Sequence, residues 1–143
     1  YFQFYVWDAG ERPNPPEHFD DEDMQRRIKA APFVVVIQPV RNMDVPVEIE
    51  VALSPPPLVL EAWDHVAEAS LELPSGRLEI HECTGGSIDI LSVTPGSYRM
   101  RACFAGLASL SEDGLDGDDH YHIALWPAPV APVEVLKYHI EPH

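Results

Sequence analysis

Ala67-Glu68-Ala69-Ser70-Leu71-Glu72-Leu73-Pro74-Ser75-Gly76-Arg77-Leu78-Glu79-Ile80-His81-Glu82 alternates on both sides of a short break. Ala67, Ala69, Leu71 and Leu73 fall on one face, with Glu68, Ser70 and Glu72 on the other. A period of two is the pattern of a half-buried strand. Pro74-Ser75-Gly76 reads as a turn, and Leu78, Ile80 and Glu82 continue the pattern in a return strand. The pair predicts a β-hairpin.

The same reading extends in both directions. Upstream, Val45, Val47, Ile49 and Val51 alternate with Pro46, Glu48 and Glu50, before Ser54-Pro55-Pro56-Pro57 breaks the pattern. Phe33-Val34-Val35-Val36-Ile37 is a continuous apolar run, the signature of a strand buried on both faces. Tyr1-Phe2-Gln3-Phe4-Tyr5-Val6-Trp7 is aromatic-rich and strand-like. Residues 63–66 form an irregular approach to the central strand. Downstream, Ile88, Ile90 and Ser92 alternate after the Thr84-Gly85-Gly86 turn. Pro95-Gly96 leads into residues 97–104, His120 to Trp126 forms a strand stopped by Pro127, and residues 133–140 form the last. Residues 20–30 place acids before bases, the polarity of a helix dipole, with Asp20 or Asp21 as the cap. Short strands at this spacing predict one all-β domain over residues 1–143. Its expected form is an antiparallel β-sandwich of about eight or nine strands with one short helix.

The chain has 143 residues, 24 acidic against 9 basic, and a net charge of −15. Its hydrophobic share of 45% is enough for a core, which argues against disorder. The charge argues against direct nucleic-acid binding, which needs a basic footprint, and against anionic membrane surfaces. No stretch approaches a membrane span, and no signal peptide is expected. Cys83 and Cys103 fit neither a metal spacing nor a disulfide framework, so free thiols and a cytoplasmic location are expected.

Catalytic signatures are missing: no nucleophile elbow, phosphate-binding glycine loop, His-Glu-x-x-His or Cys-x-x-Cys occurs. Ser111-Glu112-Asp113-Gly114-Leu115-Asp116-Gly117-Asp118-Asp119-His120 carries the carboxylates of a calcium loop, but not the EF-hand spacing. His120 and His122 share a strand face, where such a pair can ligate zinc given a third ligand. His81 and His139 have no sequence claim to that role, and no metal or cofactor is expected. His65 beside Asp64 has an acid–base partner but no nucleophile. Trp7, Trp63 and Trp126 sit in or beside strands, where core packing is expected before a sugar platform.

The acids are grouped. Five lie in residues 17–23 and five in residues 112–119. Glu48 and Glu50 share a strand face, as do Glu68 and Glu72, and together they build a negative field. A folded protein with carboxylates in that array can fill the basic groove of a nucleic-acid enzyme and associate with it fast. The expected contact loop is Glu112, Asp113, Asp116, Asp118 and Asp119. Asp20, Asp21, Glu22 and Asp23 form a second patch.

Several segments together resemble a known family: Tyr1-Phe2-Gln3-Phe4-Tyr5-Val6, Val93-Thr94-Pro95-Gly96-Ser97-Tyr98-Arg99-Met100-Arg101, and Asp119-His120-Tyr121-His122-Ile123-Ala124-Leu125-Trp126-Pro127. The segment Trp63-Asp64-His65-Val66-Ala67-Glu68-Ala69-Ser70-Leu71 also looks like a recurring motif of bacterial β proteins. They are similar to the competence nuclease inhibitor of bacilli and related immunity-type β proteins. The resemblance implies an all-β, non-enzymatic inhibitor that binds and neutralises a cognate protein toxin, a nuclease with a basic groove. The rival readings are a β-sandwich module that binds carbohydrate or calcium, and an enzyme using His65, His120 or His122. The oligomeric state is not readable from the residues.

Overall fold

The computed structural model describes residues 3–11, 13, 16, 19–38, 47–82, 87–107 and 119–138. Within them the chain runs β1 (Phe4–Asp8), α1 (Asp21–Arg26), β2 (Ile28–Ala31), β3 (Val34–Ile37), β4 (Val47–Val51), β5 (His65–Leu73), β6 (Arg77–Glu82), β7 (Ser87–Ser92), β8 (Gly96–Ala105), β9 (His120–Pro127) and β10 (Glu134–Lys137). A single 3-10 turn, Leu60–Ala62, precedes β5. The strands form two five-stranded sheets, ordered β2-β3-β1-β6-β7 and β10-β5-β8-β9-β4. The expected all-β architecture with one short helix holds.

Alternation decides which residues meet between the sheets. The first sheet contributes Phe4, Val6, Ile28, Val35, Ile37, Leu78 and Ile80. The second contributes Ala67, Ala69, Leu71 and Leu73 of β5, with Met100, Ala102, Phe104, Ile123 and Leu125 from β8 and β9. Burying each large aliphatic side chain is worth roughly 1.5–3 kcal/mol. The β3 run is buried on both faces, as its unbroken hydrophobicity predicts: Val35 and Ile37 face the core, while Val34 and Val36 pack with Tyr5, Trp7 and Phe19 on the outer side.

Three expectations change. The first is the hairpin. β5 pairs with β8 and β10, while β6 pairs with β1 and β7, so the turn at residues 74–76 carries the chain between sheets. β5 packs across the core against β1, β2 and β3 while β6 lies in the opposite sheet, and an alternating sequence suits either arrangement equally. The second is the helix, which ends at Arg26 instead of reaching residue 30. Arg27 turns left-handed at φ 59°, and Ile28 is drawn into the core as β2 pairs with β3. Tertiary burial overrides helix propensity there, and β2 raises the strand count to ten among the described residues. The third is direction: β4 joins β9 in parallel, so the second sheet is mixed.

The inter-sheet turn is held from a distance by Asp8, which is fully buried. Ser75 donates its N–H and its hydroxyl to Oδ2 at 2.9 Å each. Gly10 and Glu11 donate their N–H groups to Oδ1 at 2.8 Å each. Burial pushes this carboxyl up, but the four hydrogen bonds together outweigh it and hold the group below the usual aspartate range. Two glycines make the approach feasible. A Cβ on Gly10 would stand 2.6 Å from Ser75 Cβ, and Gly76 takes φ +70° while packed against the Val93 carbonyl.

The outer face of the second sheet is closed by a buried ion triad. Arg99 Nε and Arg101 Nε donate to the two oxygens of Glu68 at 3.1 and 3.0 Å. Arg99 also donates to the Ala131 and Pro132 carbonyls, and Arg101 to that of Pro56. Arg101 lies 4.8 Å from the Trp126 ring centroid. One carboxylate and two guanidinium groups therefore tie two connecting segments onto the sheet.

Asp8→Asn should lower unfolding stability by roughly 2–3 kcal/mol in denaturant titration, because a charged acceptor of four hydrogen bonds is lost. A carboxyl depressed in the folded state contributes its stability above its unfolded pKa and loses it as pH falls through the folded value. The wild type should therefore lose stability on acidification more steeply than Asp8→Asn. Glu68→Ala should cost roughly 3–5 kcal/mol by leaving two guanidinium groups buried without a counter-charge. A concerted replacement of Glu68, Arg99 and Arg101 by apolar residues should cost far less in the same titration.

Candidate partner-binding surface

Helix α1 presents the first acidic patch. Asp20 caps it: its Oδ1 accepts the Asp23 N–H at 2.8 Å, and Asp23 Oδ2 accepts the Asp20 N–H at 3.1 Å. This is a capping box with aspartate in the position glutamate usually takes. Asp20, Asp21 and Glu22 are exposed, whereas Asp23 is buried. Lys29 Nζ donates to Asp23 Oδ2 at 2.7 Å. Burial pushes the Asp23 carboxyl up, but Lys29 and the cap hold it below the usual range. Arg26 pairs with Glu22 at 2.8 Å. Four acids against three bases lie in residues 20–29, so much of this patch is internally neutralised. The exposed, unneutralised carboxylates of the patch reduce to Asp20 and Asp21.

The second acidic group lies mostly outside the described residues, including Glu112, Asp113, Asp116 and Asp118 and with them the calcium-loop reading. Asp119 is described and is buried. Tyr121 donates its hydroxyl to Asp119 Oδ2 at 2.6 Å. Asp119 thus anchors the start of β9 from within.

The carboxylates read as one negative field separate into two kinds. Glu68 is consumed by the buried triad, while Glu72 is exposed. Glu48 and Glu50 stand on the outer face of β4, with 85% and 48% of their side chains exposed. The parallel register sets Glu48 beside His122. His122 Nδ1 lies 3.5 Å from Glu48 and Nε2 3.3 Å from Glu50. Trp63 sits over both His120 and His122, with ring centroids 6.0 and 6.1 Å apart. Two glutamates, two histidines and a tryptophan therefore share one open sheet face. Period-two alternation placed each pair on its own strand face; only the parallel β4–β9 pairing brings them together.

β4 and β7 are each the last strand of their sheet, and residues of both line one groove. A groove of about 690 Å³ opens between their ends, lined by Val51, Leu53, Leu91, Val93, Tyr98 and Pro127. Sequence reasoning missed this groove, because it depends on which strands become edges.

The remaining candidates take structural places. His65 is fully buried and donates from Nε2 to the Arg26 carbonyl at 2.7 Å, satisfying a helix-end acceptor. Asp64 accepts the Leu107 N–H at 2.9 Å. The Asp64–His65 pair is thereby split between two structural tasks. The three tryptophans do not enter the inter-sheet core as expected. Trp7 stacks on Tyr5 outside the first sheet, while Trp63 and Trp126 lie outside the second. No three of His, Cys, Asp and Glu converge on a cation position among the described residues. No helix among them is long and apolar enough to cross a membrane.

Cys103 is a free, buried thiol, pushed up to about 12 chiefly by burial, with nearby Arg101 opposing and Glu68 adding to the rise. Burial thus disfavours the thiolate, the form that acts as a nucleophile. In a Cys83→Ser background, the native protein should show no fast-reacting thiol with Ellman's reagent and one after unfolding. Complete reaction of the native protein within minutes would contradict this placement.

No protein-family model matches the chain, and no curated protein matches it. Two solved structures share the architecture. The crystal structure of ComJ, inhibitor of the DNA degrading activity of NucA, from Bacillus subtilis, superposes with TM-score 0.68 and 17% identity over 90% of each chain. The protein of crocagin biosynthetic gene J superposes with TM-score 0.55 and 24% identity, over 90% of this chain and 92% of that one. At the level of the fold, the chain is similar to the competence nuclease inhibitor, as its sequence segments suggested.

Proposed function

We propose that this chain is a bacterial inhibitor or immunity protein that binds a cognate toxin, a nuclease with a basic groove, and blocks it without catalysis. The observation that carries the reading is a fold shared over nine-tenths of both chains with a nuclease inhibitor, in a chain of net charge −15. The physical logic is occupancy. A nuclease groove is lined with cations for phosphate, and carboxylates at comparable spacing compete for it with electrostatically accelerated association.

The contact carboxylates in this proposal are Glu112, Asp113, Asp116 and Asp118, with Asp20 and Asp21 as a second patch. Asp119 and Asp23 are left out of the contact set, since both are buried and engaged. The structural duties of Asp64 and His65 and the suppressed Cys103 thiolate favour binding over chemistry. A cytoplasmic site of action follows from the same reading, because an immunity protein protects the cell that makes the toxin.

DNA degradation by NucA, and by any nuclease found encoded beside this chain, should be measured with increasing amounts of the chain. Stoichiometric inhibition of at least one nuclease is expected, weakening as salt rises. Charge reversal of Glu112, Asp113, Asp116 and Asp118 together should raise the inhibitory concentration by about tenfold or more. Reversal of Asp20 and Asp21 should act in the same direction and less strongly. Failure to inhibit either nuclease, or unchanged inhibition by the reversed variants, would refute the proposal.

A further inference from the structure

β4 ends the second sheet, and among the described residues no strand pairs with its far edge. Its backbone groups can be assigned to edges. Ala52 donates its N–H to the Leu125 carbonyl of β9 at 2.8 Å. Backbone groups alternate between the two edges along a strand, so Glu48 and Glu50 also address β9. Val47, Ile49 and Val51 then present their N–H and C=O groups to the open edge. This is a template for one more strand.

The two faces beside that edge differ in chemistry. On the outer face stand the Glu48 and Glu50 carboxylates, one pleat apart and largely exposed. His122 lies between them and supplies one positive charge at most, so the pair stays net negative. On the inner side the edge leads into the 690 Å³ groove walled by Val51, Leu53, Leu91 and Val93. Leu53 is 94% exposed and Val51 42% exposed, an apolar wall that no described residue covers. An added strand would send alternate side chains to these two environments. Cations would meet Glu48 and Glu50, and apolar side chains would enter the groove. A second copy of β4 is a poor occupant, because pairing would set glutamates against glutamates across the new ladder.

We infer that the open edge of β4 accepts, by strand addition, an extended segment of a partner protein in which Lys or Arg alternates with apolar residues. This deepens the inhibitor reading by adding a docking surface, and it rests on that reading only for the protein that supplies the segment.

The test uses the full-length chain, labelled with nitrogen-15, and three synthetic octapeptides: alternating Lys-Val, alternating Glu-Val, and a block peptide with the Lys-Val composition. The alternating Lys-Val peptide should shift the Val47, Ile49 and Val51 amides. It should bind at least about tenfold more tightly than the other two and weaken as salt is raised to about 0.5 M. E48K/E50K should weaken it by a similar factor, and E48Q/E50Q, which keeps the side-chain shape, should weaken it in the same direction. Equal binding of the block peptide, shifts confined elsewhere, or unchanged affinity in both double variants would overturn the inference. Concentration-dependent β4 shifts without peptide would overturn it in favour of a second copy. No nuclease is present, so failure here leaves the inhibition assay to stand alone. A chain that binds the peptide and inhibits no nuclease would keep this edge and lose the inhibitor reading.

Discussion

The carboxylate of Asp8 is the constraint on which the sandwich depends. It is buried, charged and hydrogen-bonded to Ser75, 67 positions away in sequence. By taking four donors it fixes both the exit of β1 and the turn that passes the chain from the second sheet to the first. The apolar faces of β5 and β6 then line the core from opposite sheets instead of lying side by side in one. A carboxylate placed there is costly to desolvate, and only a complete set of donors offsets that cost. Gly10 and Gly76 supply the close approach and the left-handed backbone that allow it.

The triad of Arg99, Glu68 and Arg101 performs the corresponding task outside the second sheet. It binds the segment before β5 and the segment before β10 through their carbonyls, leaving buried cations paired. Between them these networks withdraw several acids from the surface. Asp8, Asp23, Glu68 and Asp119 are engaged inside the structure, so the surface field is narrower than the composition alone indicates. Among the described residues, half of the exposed acids lie on α1 with its cap and along β4, while Glu11, Glu61, Glu72, Asp89 and Glu134 are scattered. A binding surface made of a few well-placed carboxylates discriminates between partners better than diffuse charge does.

Strand positions were legible because alternation is a local property. The Val34–Ile37 run, the Ile49 face and the Tyr98–Phe104 pattern all became strands on that basis. Pairing was not legible. The residues that separate a hairpin from an inter-sheet turn include Asp8 and Ser75, which no periodicity connects. Ile28 was assigned to a helix because its neighbours are charged, while its fate was set by Ile37 on the adjoining strand. The loss of Glu68 from the surface has a sequence signal in hindsight: Arg99 and Arg101 share a face of the strand that pairs with it. The Glu48–His122–Trp63 face and the β4–β7 groove had none, because both arise from a parallel pairing and from the choice of edge strands.

The inhibitor reading proposed above has one mechanism, occupation of a phosphate-binding groove by protein acids, and what supports it is a fold shared with a nuclease inhibitor and a net charge of −15. That mechanism makes the chain and DNA mutually exclusive ligands. The most direct measurement is a competition titration, in which preformed nuclease–inhibitor complex is challenged with duplex DNA under conditions that prevent cleavage. The account predicts that DNA displaces the chain, with an apparent affinity that falls in proportion to added duplex. A ternary complex of nuclease, chain and DNA that persists at saturating duplex would contradict it.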